Sequence, residues 1–444
     1  MKKNKSGFTL IELLAVIVIL AVILVISIPR ILDVIETSKK DSFKNAAQII
    51  ADSAEKKKAS NKLLDKDESI ACKDAAKINI DDYGNCIIKF DENGTAKVSI
   101  SGKGKFEGLA VVNGTKTSAE VVRLESPEYG VATTYIENLY NDEALRMVNG
   151  LKKDNTEDTN IRYYGANPNN YVSFNNELWR IIGVFNDNVK LIRKDSLGWL
   201  SWDTSDESVN GGYGINQWGE STYEDGTTYE GSDLMQYLNK MYYGGDTTIT
   251  CYGSANNGTK TCPTGTIDET SKSLIDNHTW NTGAIEWGKR TDTLAFYQAE
   301  RGTKGKICSS GNNCNDTVTR KTTWTGYVAL PYVTDWAYAS SESVCETNMY
   351  AGYNATASFP VEAVANMTCK KNNWMQRSSY TWYLSPSAYG SYANNAWYVS
   401  GDGAADFNRA ACSYAVAPSI YLKSNVLIES GNGTSSNPYM LKTS

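Results

Sequence analysis

The stretch G-F-T-L-I-E-L-L (Gly7–Leu14) decides how the N-terminal part of the chain folds. It follows a leader that contains three lysines, and it opens a run of 21 residues, Phe8–Ile28, in which all but Thr9, Glu12 and Ser27 are apolar or alanine. A helix of this length spans roughly 31 Å at about 1.5 Å per residue, which is the thickness of the hydrocarbon core of a bilayer. The run therefore predicts a transmembrane helix whose N-terminus lies in the cytoplasm.

Glu12 lies inside this run, although no cationic side chain occurs between Phe8 and Ile28. A carboxylate at such a depth costs about 2.5–3.5 kcal/mol on insertion scales, so residues of this kind usually have a partner. Cleavage of the leader after Gly7 would create one, because a neighbouring copy shifted along the helix axis could present its new α-amino group at Phe8. Glu12 is therefore predicted to be an assembly residue. The alternative is a plain single-pass anchor with a stalk.

The helical pattern continues beyond the apolar run. Leu32, Ile35, Phe43 and Ile50 recur at helical spacings, and charged residues cover the other faces. Proline removes one backbone hydrogen bond, so Pro29 is expected to kink the helix rather than end it. The sequence predicts one helix of about fifty residues, assigned to 8–60, that is apolar all round in its first half and amphipathic in its second.

These residues closely resemble the N-terminus of type IV pilins and the related pseudopilins. The shared elements are the basic leader 1–7, Gly7 before the cut, Phe8 after it, Glu12 in the apolar run and Pro29 at the usual kink. The resemblance implies that a prepilin peptidase cleaves the leader and methylates Phe8. It also implies that the subunit lies in the membrane before assembly, and that its helix then packs against those of other pilin subunits in a filament core.

Residues 61–115 are predicted to form a small β head that covers the amphipathic half of the helix. Cys86–Phe90, Ala96–Ser101 and Lys105–Val112 have strand patterns, and D-E-N-G at Asp91–Gly94 is a hairpin turn signal. Residues 116–165 contain two charged helical patterns, around 131–140 and 142–151, and the polar run K-K-D-N-T-E-D-T-N. We therefore predict that they form a connector.

Residues 166–444 differ in composition, because all eleven tryptophans lie between Trp179 and Trp397. The segment Tyr171–Arg193 has the pattern of a β-meander, and long Gly/Asn/Ser/Tyr-rich connections follow it. Further strands are expected at 327–330, 381–384, 396–400 and 416–422, and short helices at 233–242 and 292–301. The whole chain is predicted to be α+β, with a large loop-rich C-terminal domain.

Eight of the nine cysteines fall into four locally spaced pairs, which indicates an oxidising, extracellular location. Connectivity cannot be deduced from sequence, so nearest-neighbour pairing is a hypothesis. The alternative is a set of scattered reduced thiols, and Cys412 is left over in either case. The hypothesis joins Cys72 with Cys86, Cys251 with Cys262, Cys308 with Cys314, and Cys345 with Cys369.

Composition and motifs argue against several classes of function. The net charge is −6 and the pI about 5.2, so no general basic surface predicts nucleic-acid binding. No C-x-x-C motif occurs and His278 is the single histidine, so neither a zinc site nor any other metal site is predicted. No Walker loop, G-x-S-x-G, H-E-x-x-H or dinucleotide fingerprint is present, which predicts no enzyme and no cofactor. A structural Ca²⁺ site at Asp402–Asp406 is left open.

The window from Ser387 to Tyr414 contains no Lys, Glu, Gln, Met or His. Its Tyr, Ser, Asn, Gly and Asp residues are typical of a binding surface, in which aromatic rings supply rigid contact area and small polar groups supply adaptable hydrogen bonds. The alternative is an ordinary polar loop pair near a sheet edge. The predicted ligand contacts are Tyr389, Tyr392, Asn394, Asn395, Trp397, Tyr398, Asp402, Asp406, Phe407, Asn408, Arg409, Ser413 and Tyr414.

A second resemblance concerns residues 166–444. The segments W-Y-L-S-P-S (Trp382–Ser387), V-S-G-D-G (Val399–Gly403), V-A-P-S-I-Y-L (Val416–Leu422) and E-L-W-R-I-I-G-V (Glu177–Val184) resemble the C-type-lectin/formylglycine-generating-enzyme-like fold. The enzyme branch of that fold needs paired catalytic cysteines, which are not evident here. The resemblance therefore implies a C-type-lectin-like binding domain.

Some members of that fold are targets of diversity-generating retroelements, which randomise asparagine codons to vary ligand binding. Substituting the two adenines of such a codon reaches Tyr, Ser, Ala, Asp, Gly, Asn, Val, Phe, Arg and Cys, but not Lys, Glu, Gln or Met. The 387–414 window obeys this restriction apart from Trp397, and the restriction would account for Cys412. The resemblance thus implies that the window is diversified.

The functional hypothesis is a minor or tip-located pilin-like subunit that displays a binding domain for a glycan or protein receptor outside the cell. The alternative is a structural pseudopilin of a secretion or DNA-uptake machine, whose head is a cap or spacer.

Overall fold

The structure is a computed structural model of the 444-residue chain. It describes residues 10–64, 70, 72–75, 82–204, 214–222, 226, 228–253, 258–285, 292–302, 321–349, 368–388 and 394–444. The fold is α+β, since a long N-terminal helix is followed by a large sheet-rich domain with mixed helices and strands. The described residues divide into two compact units, with the boundary between Leu124 and Glu125 and with Gly84–Ile87 assigned to the second unit.

Helix α1 (Leu10–Leu63) is continuous over 54 residues and includes Pro29. Its first half is long and apolar enough to cross a membrane, and its apolar side chains are exposed, with Leu10 82% and Val25 73% accessible. Its second half buries one stripe of side chains against the rest of the first unit, because apolar residues there recur at three- and four-residue spacings. The stripe comprises Phe43, Ala46, Ala47, Ile50, Ala51 and Ala54. The predicted long helix, amphipathic in its second half, is confirmed.

The first unit is completed by a short helix and a small sheet. The sheet has the order β1-β2-β3-β4. Phe43 of α1 packs against Tyr83 and Phe106, with ring centroids 5.7 and 5.4 Å away, so the sheet covers the amphipathic part of the helix. The elements are α2 (Cys72–Ala75), β1 (Tyr83–Phe90), β2 (Ala96–Gly102), β3 (Leu109–Gly114) and β4 (Val121–Arg123).

The second unit contains many short strands and few helices, as its composition predicts. Its helices are α3 (Ala132–Asn141), α4 (Glu143–Asn149), α5 (Asp233–Gln236), which continues as a π-helical segment Tyr237–Tyr243, α6 (Glu269–Leu274), α7 (Thr293–Glu300) and α8 (Val333–Tyr338). Its strands are β5 (Gly130–Val131), β6 (Leu151–Lys153), β7 (Ile161–Tyr163), β8 (Tyr171–Phe174), β9 (Glu177–Phe185), β10 (Asn188–Arg193), β11 (Trp199–Ser201), β12 (Ser221–Thr222), β13 (Thr228–Tyr229), β14 (Cys251–Tyr252), β15 (Thr259–Lys260), β16 (His278–Asn281), β17 (Thr323–Gly326), β18 (Thr381–Pro386), β19 (Asn395–Val399), β20 (Ala405–Arg409), β21 (Ser413–Ala415), β22 (Ser419–Tyr421), β23 (Leu427–Ser430) and β24 (Tyr439–Lys442).

Two sheets organise this unit. A nine-stranded sheet has the order β22-β10-β9-β8-β24-β23-β5, and β6 and β7 attach to it through β9. Its centre is the predicted meander β8-β9-β10, in which Val172 pairs with Trp179 and Val189 with Val184. A five-stranded sheet has the order β11-β21-β18-β19-β20. Three two-stranded sheets, β12-β13, β14-β15 and β16-β17, lie outside these two sheets in the part of the chain that the structure describes.

Part of the predicted connector belongs to the second unit. The polar run K-K-D-N-T-E-D-T-N of the predicted connector (152–160) begins within β6 and ends directly before β7, and these two strands pair with each other. Asp154, Thr156 and Asn160 are buried, because the Asp154 carboxylate accepts hydrogen bonds from the Thr156 hydroxyl, the Asn160 amide and Arg162. These three residues therefore belong to an internal hydrogen-bond network, whereas Lys153, Asn155 and residues 157–159 are exposed. The polar pattern of the sequence does not distinguish the two environments.

The same network extends into a buried ionic cluster, made of Asp154, Arg162, Lys190 and Asp335. Arg162 donates from Nε to Asp154 at 2.6 Å and from Nη1 to Asp335 at 2.8 Å. Lys190 Nζ lies 2.7 Å from Asp335 Oδ2, and all four side chains are at most 1% exposed. Burial by itself would raise the pKa of Asp335, but Lys190 and Arg162 outweigh it and hold the pKa below its usual value.

Some elements differ from the sequence predictions. Residues 327–330 were predicted as a strand, but the strand in this region, β17, ends at Gly326. The strand predicted at 416–422 is limited to β22. Val328, Ala329 and Leu330 are fully buried without belonging to a sheet strand, which explains why their apolar pattern resembles one.

Disulfides join neighbouring cysteines in the second unit. Cys251 is bonded to Cys262 and Cys345 to Cys369, as the nearest-neighbour hypothesis predicts. Cys72 and Cys86 are both disulfide-bonded, and Cys412 carries a free thiol. The remaining predicted pair, Cys308 and Cys314, lies outside the described residues.

Candidate ligand-binding face

The five-stranded sheet carries most of the predicted ligand contacts, on strands β19, β20 and β21. Within the described residues, β20 pairs only with β19 and so forms one edge of the sheet. Side chains alternate between the two faces of a strand. Tyr398 therefore shares a face with Asp406, its cross-strand partner, whereas Trp397 shares the opposite face with Phe407.

The face that carries Trp397 is a core face. Trp397 is fully buried and packs edge-on against Phe296 of α7 at 4.9 Å and against Phe407 at 5.4 Å between ring centroids. Asn394 is also buried. Trp397 and Asn394, both predicted ligand contacts, are therefore buried and do not belong to the exposed surface of this sheet. Because side chains alternate along β19, Trp397 points toward the core, where α7 covers it.

Four neighbouring aromatic rings, Trp199, Tyr380, Tyr398 and Tyr414, form a cluster that we call the aromatic face. Tyr398 lies on the side opposite Trp397, and Trp199 joins the cluster from β11, where its cross-strand partner is Ala415 and not Tyr414. Tyr414 is central to it, with ring centroids 4.7 Å from Tyr398, 5.3 Å from Tyr380 and 6.4 Å from Trp199. Trp199 is 41% exposed and Tyr380 is 45% exposed, and the other two rings are half-buried. Trp382, the cross-strand partner of Tyr398, is buried and packs 4.5 Å from Tyr414 between ring centroids.

Polar groups adjoin these rings on β20. Asn408 Nδ2 donates a hydrogen bond of 2.8 Å to the Tyr414 hydroxyl. Burial raises the pKa of Tyr414 to about 12, so its phenol stays protonated at neutral pH and can donate a hydrogen bond. A rigid ring with a polar tip is the type of side chain that dominates recognition surfaces.

The other predicted contacts are distributed around this face. Asp402 and Arg409 are exposed, whereas Asn395, Asp406, Phe407 and Ser413 are half-buried. Asp402 accepts a hydrogen bond from the Ser400 hydroxyl within the turn between β19 and β20. Tyr389 and Tyr392 lie outside the described residues, as do Gly7 and Phe8. No group of three His, Cys, Asp or Glu side chains that could hold a metal ion occurs in the described part of the chain.

Sequence reasoning missed Trp199 and Tyr380, the two most exposed rings of the aromatic face. Trp199 comes close to it because β11 pairs with β21: its cross-strand partner is Ala415, and its ring lies 6.4 Å from the ring of the adjacent residue Tyr414. Tyr380 immediately precedes β18. The only local signal was the abundance of aromatic residues. The pairing of β11 with a strand more than 200 residues away in the sequence is not encoded in a local pattern.

Glu12 lies in the first turn of α1, and Pro29 lies inside the same helix. Residues 2–28 match the family model of the prokaryotic N-terminal methylation motif. This match covers the leader, the predicted cleavage site and the apolar run. It identifies a type IV prepilin signal at the N-terminus, which supports a pilin-like subunit anchored in the membrane before assembly. No curated protein and no solved structure matches the chain.

Proposed function

We propose that the chain is a minor or tip-located type IV pilin-like subunit that displays a ligand-binding domain outside the cell. In this proposal the N-terminal helix delivers and anchors the protein, and the aromatic face of the second unit contacts a glycan or protein receptor. The observation that carries the binding role is the set of four neighbouring rings, two of them more than 40% exposed.

The N-terminal part of the proposal rests on the methylation motif at residues 2–28. A prepilin peptidase would cleave after Gly7 and methylate Phe8, and other pilin subunits would then pack against α1. The exposed apolar side chains of its first half support this role, because a surface of this kind is stable only in lipid or against other apolar helices. Glu12 would pair with the α-amino group of a neighbouring Phe8.

The binding part rests on the physics of exposed aromatic rings. Single exposed apolar residues are ordinary, whereas a contiguous group of exposed rings often marks an interaction site. Tyr and Trp lose little conformational entropy on binding, and they often carry most of the energy of an interface. Their neighbours Asn408 and Asp406 would add hydrogen bonds that orient the ligand. The proposal assigns binding to this unit and no catalysis.

Diversification of the 387–414 window belongs to the same proposal. Its described positions separate into buried ones, such as Ala396, Trp397 and Ala405, and accessible ones. Substitution of the accessible positions would change the binding surface at little cost to folding. They include Tyr398, Asp402, Asp406, Asn408, Arg409 and Ser413. A reverse-transcriptase gene and a near-repeat of the 3′ coding region next to the gene would support it.

The test compares cells that produce the full chain with cells that produce the double variant Trp199→Ser/Tyr380→Ser, on arrays of immobilised glycans and host-surface proteins. We expect the wild type to bind at least one arrayed ligand and the variant to bind it at least about tenfold less, because two exposed anchors are removed. Tyr129→Ser is the matched control, since Tyr129 is 49% exposed but lies just before β5 in the other sheet.

Equal binding by wild type and double variant would contradict the proposal. That result, with correct surface display, would favour the alternative in which the second unit is a structural cap or spacer. N-terminal sequencing of the displayed protein tests the anchoring role separately. A mature chain that begins anywhere other than methylated Phe8 would contradict it.

A further inference from the structure

A lysine and an aspartate of the buried ionic cluster are in contact inside the second unit, where water does not reach them. Lys190 Nζ lies 2.7 Å from Asp335 Oδ2, and both side chains are fully buried. Lys190 is on β10 and Asp335 is on α8, so the contact joins two elements through residues that are 145 positions apart in the chain. Neither the anchoring helix nor the aromatic face includes this pair.

The Lys190 ammonium group has few hydrogen bonds for a buried charge. An ammonium group carries three donors, but within the described residues Asp335 is its only hydrogen-bond acceptor. The rings of Tyr332 and Trp280 lie 4.0 and 5.3 Å from Nζ, measured to the ring centroids. Burial lowers the pKa of Lys190 to about 8, although Asp335 opposes this shift. The neutral amine, which is a nucleophile, is therefore accessible near neutral pH.

The Asp335 carboxyl group is held in place and polarised from both sides. Arg162 Nη1 donates to Oδ1 at 2.8 Å, and the backbone N–H of Tyr332 donates to Oδ2 at 2.9 Å. Arg162 is fixed in turn by Asp154, which accepts from its Nε at 2.6 Å. A guanidinium group beside Oδ1 would stabilise the negative charge that develops on this oxygen when a nucleophile attacks the carboxyl carbon.

We propose that Lys190 and Asp335 condense to an amide, so that the folded second unit carries an internal covalent cross-link. The ammonium group passes a proton to Asp335 Oδ2, and the amine nitrogen attacks the carboxyl carbon while Arg162 stabilises the charge on Oδ1. A second proton moves from the nitrogen to Oδ2, the bond between the carbon and Oδ2 breaks, and one water molecule leaves. One ammonium group and one carboxylate thus give one amide and one water, without an oxidant or any other co-reactant.

Burial of the pair favours this reaction. Holding two groups in contact makes their reaction intramolecular, and effective concentrations reach about 10⁵–10⁸ M when the orientation is good. The product also removes two desolvated charges from the interior, while Arg162 keeps Asp154 as its counter-ion. The bond would close a long loop of the chain and so restrict its unfolded state. It would form whether or not the aromatic face binds a receptor.

An accessible pair of the same kind provides an internal comparison. Lys56 Nζ lies 2.6 Å from Asp52 Oδ2, but the two side chains are 75% and 43% exposed. Water solvates both charges there, which favours the ions over the amide. We therefore expect no condensation between Lys56 and Asp52, although their distance is the shorter one.

Mass spectrometry of the full chain, purified in detergent and completely reduced, tests the proposal. After allowance for N-terminal processing, we expect most wild-type molecules to be lighter than their sequence by the mass of one water molecule. Trypsin does not cleave after a lysine whose amine is part of an amide. Digestion should therefore release peptide 181–193 joined to peptide 322–370, whereas cleavage after Lys56 should proceed normally.

Lys190→Met removes the amine but keeps a long apolar side chain, and its mass should equal that of its sequence. A wild-type chain with the full mass of its sequence would overturn the proposal, whatever the variant does. A lost water that maps to another pair of peptides, or that persists in Lys190→Met, would overturn it as well. None of these measurements depends on receptor binding, so the cross-link and the binding role stand or fall separately.

Discussion

The two units differ in where they place charged and apolar side chains. The first exposes the apolar residues of α1 from Leu10 to Ile35 and keeps its ion pairs accessible, as with Glu36 and Arg123 at 2.9 Å. The second buries the ionic cluster completely and covers most of its apolar side chains.

The difference indicates which unit depends on its surroundings for stability. Exposed apolar helix surface is unstable in water, so the first unit needs lipid or neighbouring subunits. A buried ion pair tolerates no loss of a partner, because the remaining charge stays desolvated. The second unit is therefore stabilised by contacts within itself, whereas the exposed helix of the first unit is adapted to assembly. Three substitutions test this comparison.

The largest effect is expected from Asp335→Ala in the buried ionic cluster. It leaves Lys190 and Arg162 desolvated without their shared carboxylate, which should lower the free energy of unfolding by about 3–5 kcal/mol. Urea denaturation followed by tryptophan fluorescence measures it, since all eleven tryptophans lie in the second unit. Asp402→Ala removes an exposed carboxylate and is the control. An unchanged midpoint for Asp335→Ala would show that the cluster is not essential to this unit.

A smaller effect on the free energy of unfolding is expected from the titration of Glu300, which is fully buried on α7. Burial raises the pKa of Glu300 to about 7, against opposing interactions with Arg301 and Thr334. The folded state therefore holds the proton more tightly than the unfolded state, whose pKa is near 4.5. The resulting stabilisation is complete below about pH 4.5 and is lost as pH rises through 7, by about 3 kcal/mol in total.

Glu300→Gln should remove this part of the pH dependence. Urea midpoints at pH 5 and pH 8 measure it, and the fall in stability between them should be smaller in the variant than in the wild type. Exposed Glu157 provides the control variant Glu157→Gln. An identical pH dependence in wild type and Glu300→Gln would mean that Glu300 is ionised throughout this range.

The smallest effect is expected from Arg123→Ala in the first unit. Its partner Glu36 is on the surface, and exposed ion pairs contribute little to stability. Hydrogen exchange of the peptides that contain β3 and β4 should be unchanged. Phe43→Ala, at a fully buried position of α1, should increase the same exchange strongly, because it leaves a cavity. Faster exchange in Arg123→Ala would mean that surface charges stabilise this unit as well.

The predictable parts of the fold are those with local patterns. The stripe from Phe43 to Ala54 predicts α1, the alternation in Tyr171–Arg193 predicts β8-β9-β10, and the hypothesis of nearest-neighbour pairing agrees with the disulfide between Cys251 and Cys262. Each depends on residues that are close in the chain. The same holds for the N-terminal motif, whose residues act in order along one helix.

The candidate site was only partly predictable. The window 387–414 contains Tyr398 and Tyr414, but Trp199 and Tyr380 come from outside it. The composition of a strand also does not reveal which face is covered, and Trp397, a predicted ligand contact, is buried. Pairing between distant strands and the packing of α7 decide these points.

The sequence by itself determined the N-terminal helix, its processing motif and the α+β class, because periodicity, hydrophobicity and residue order are local properties of the chain. Only the tertiary structure decided which polar residues are buried and which aromatic residues are exposed. Asp154 is a charged residue in a polar run and is nevertheless buried, whereas Trp199 is a large aromatic residue and is nevertheless exposed. Burial depends on what packs against a residue, and those partners can lie more than 200 residues away in the sequence.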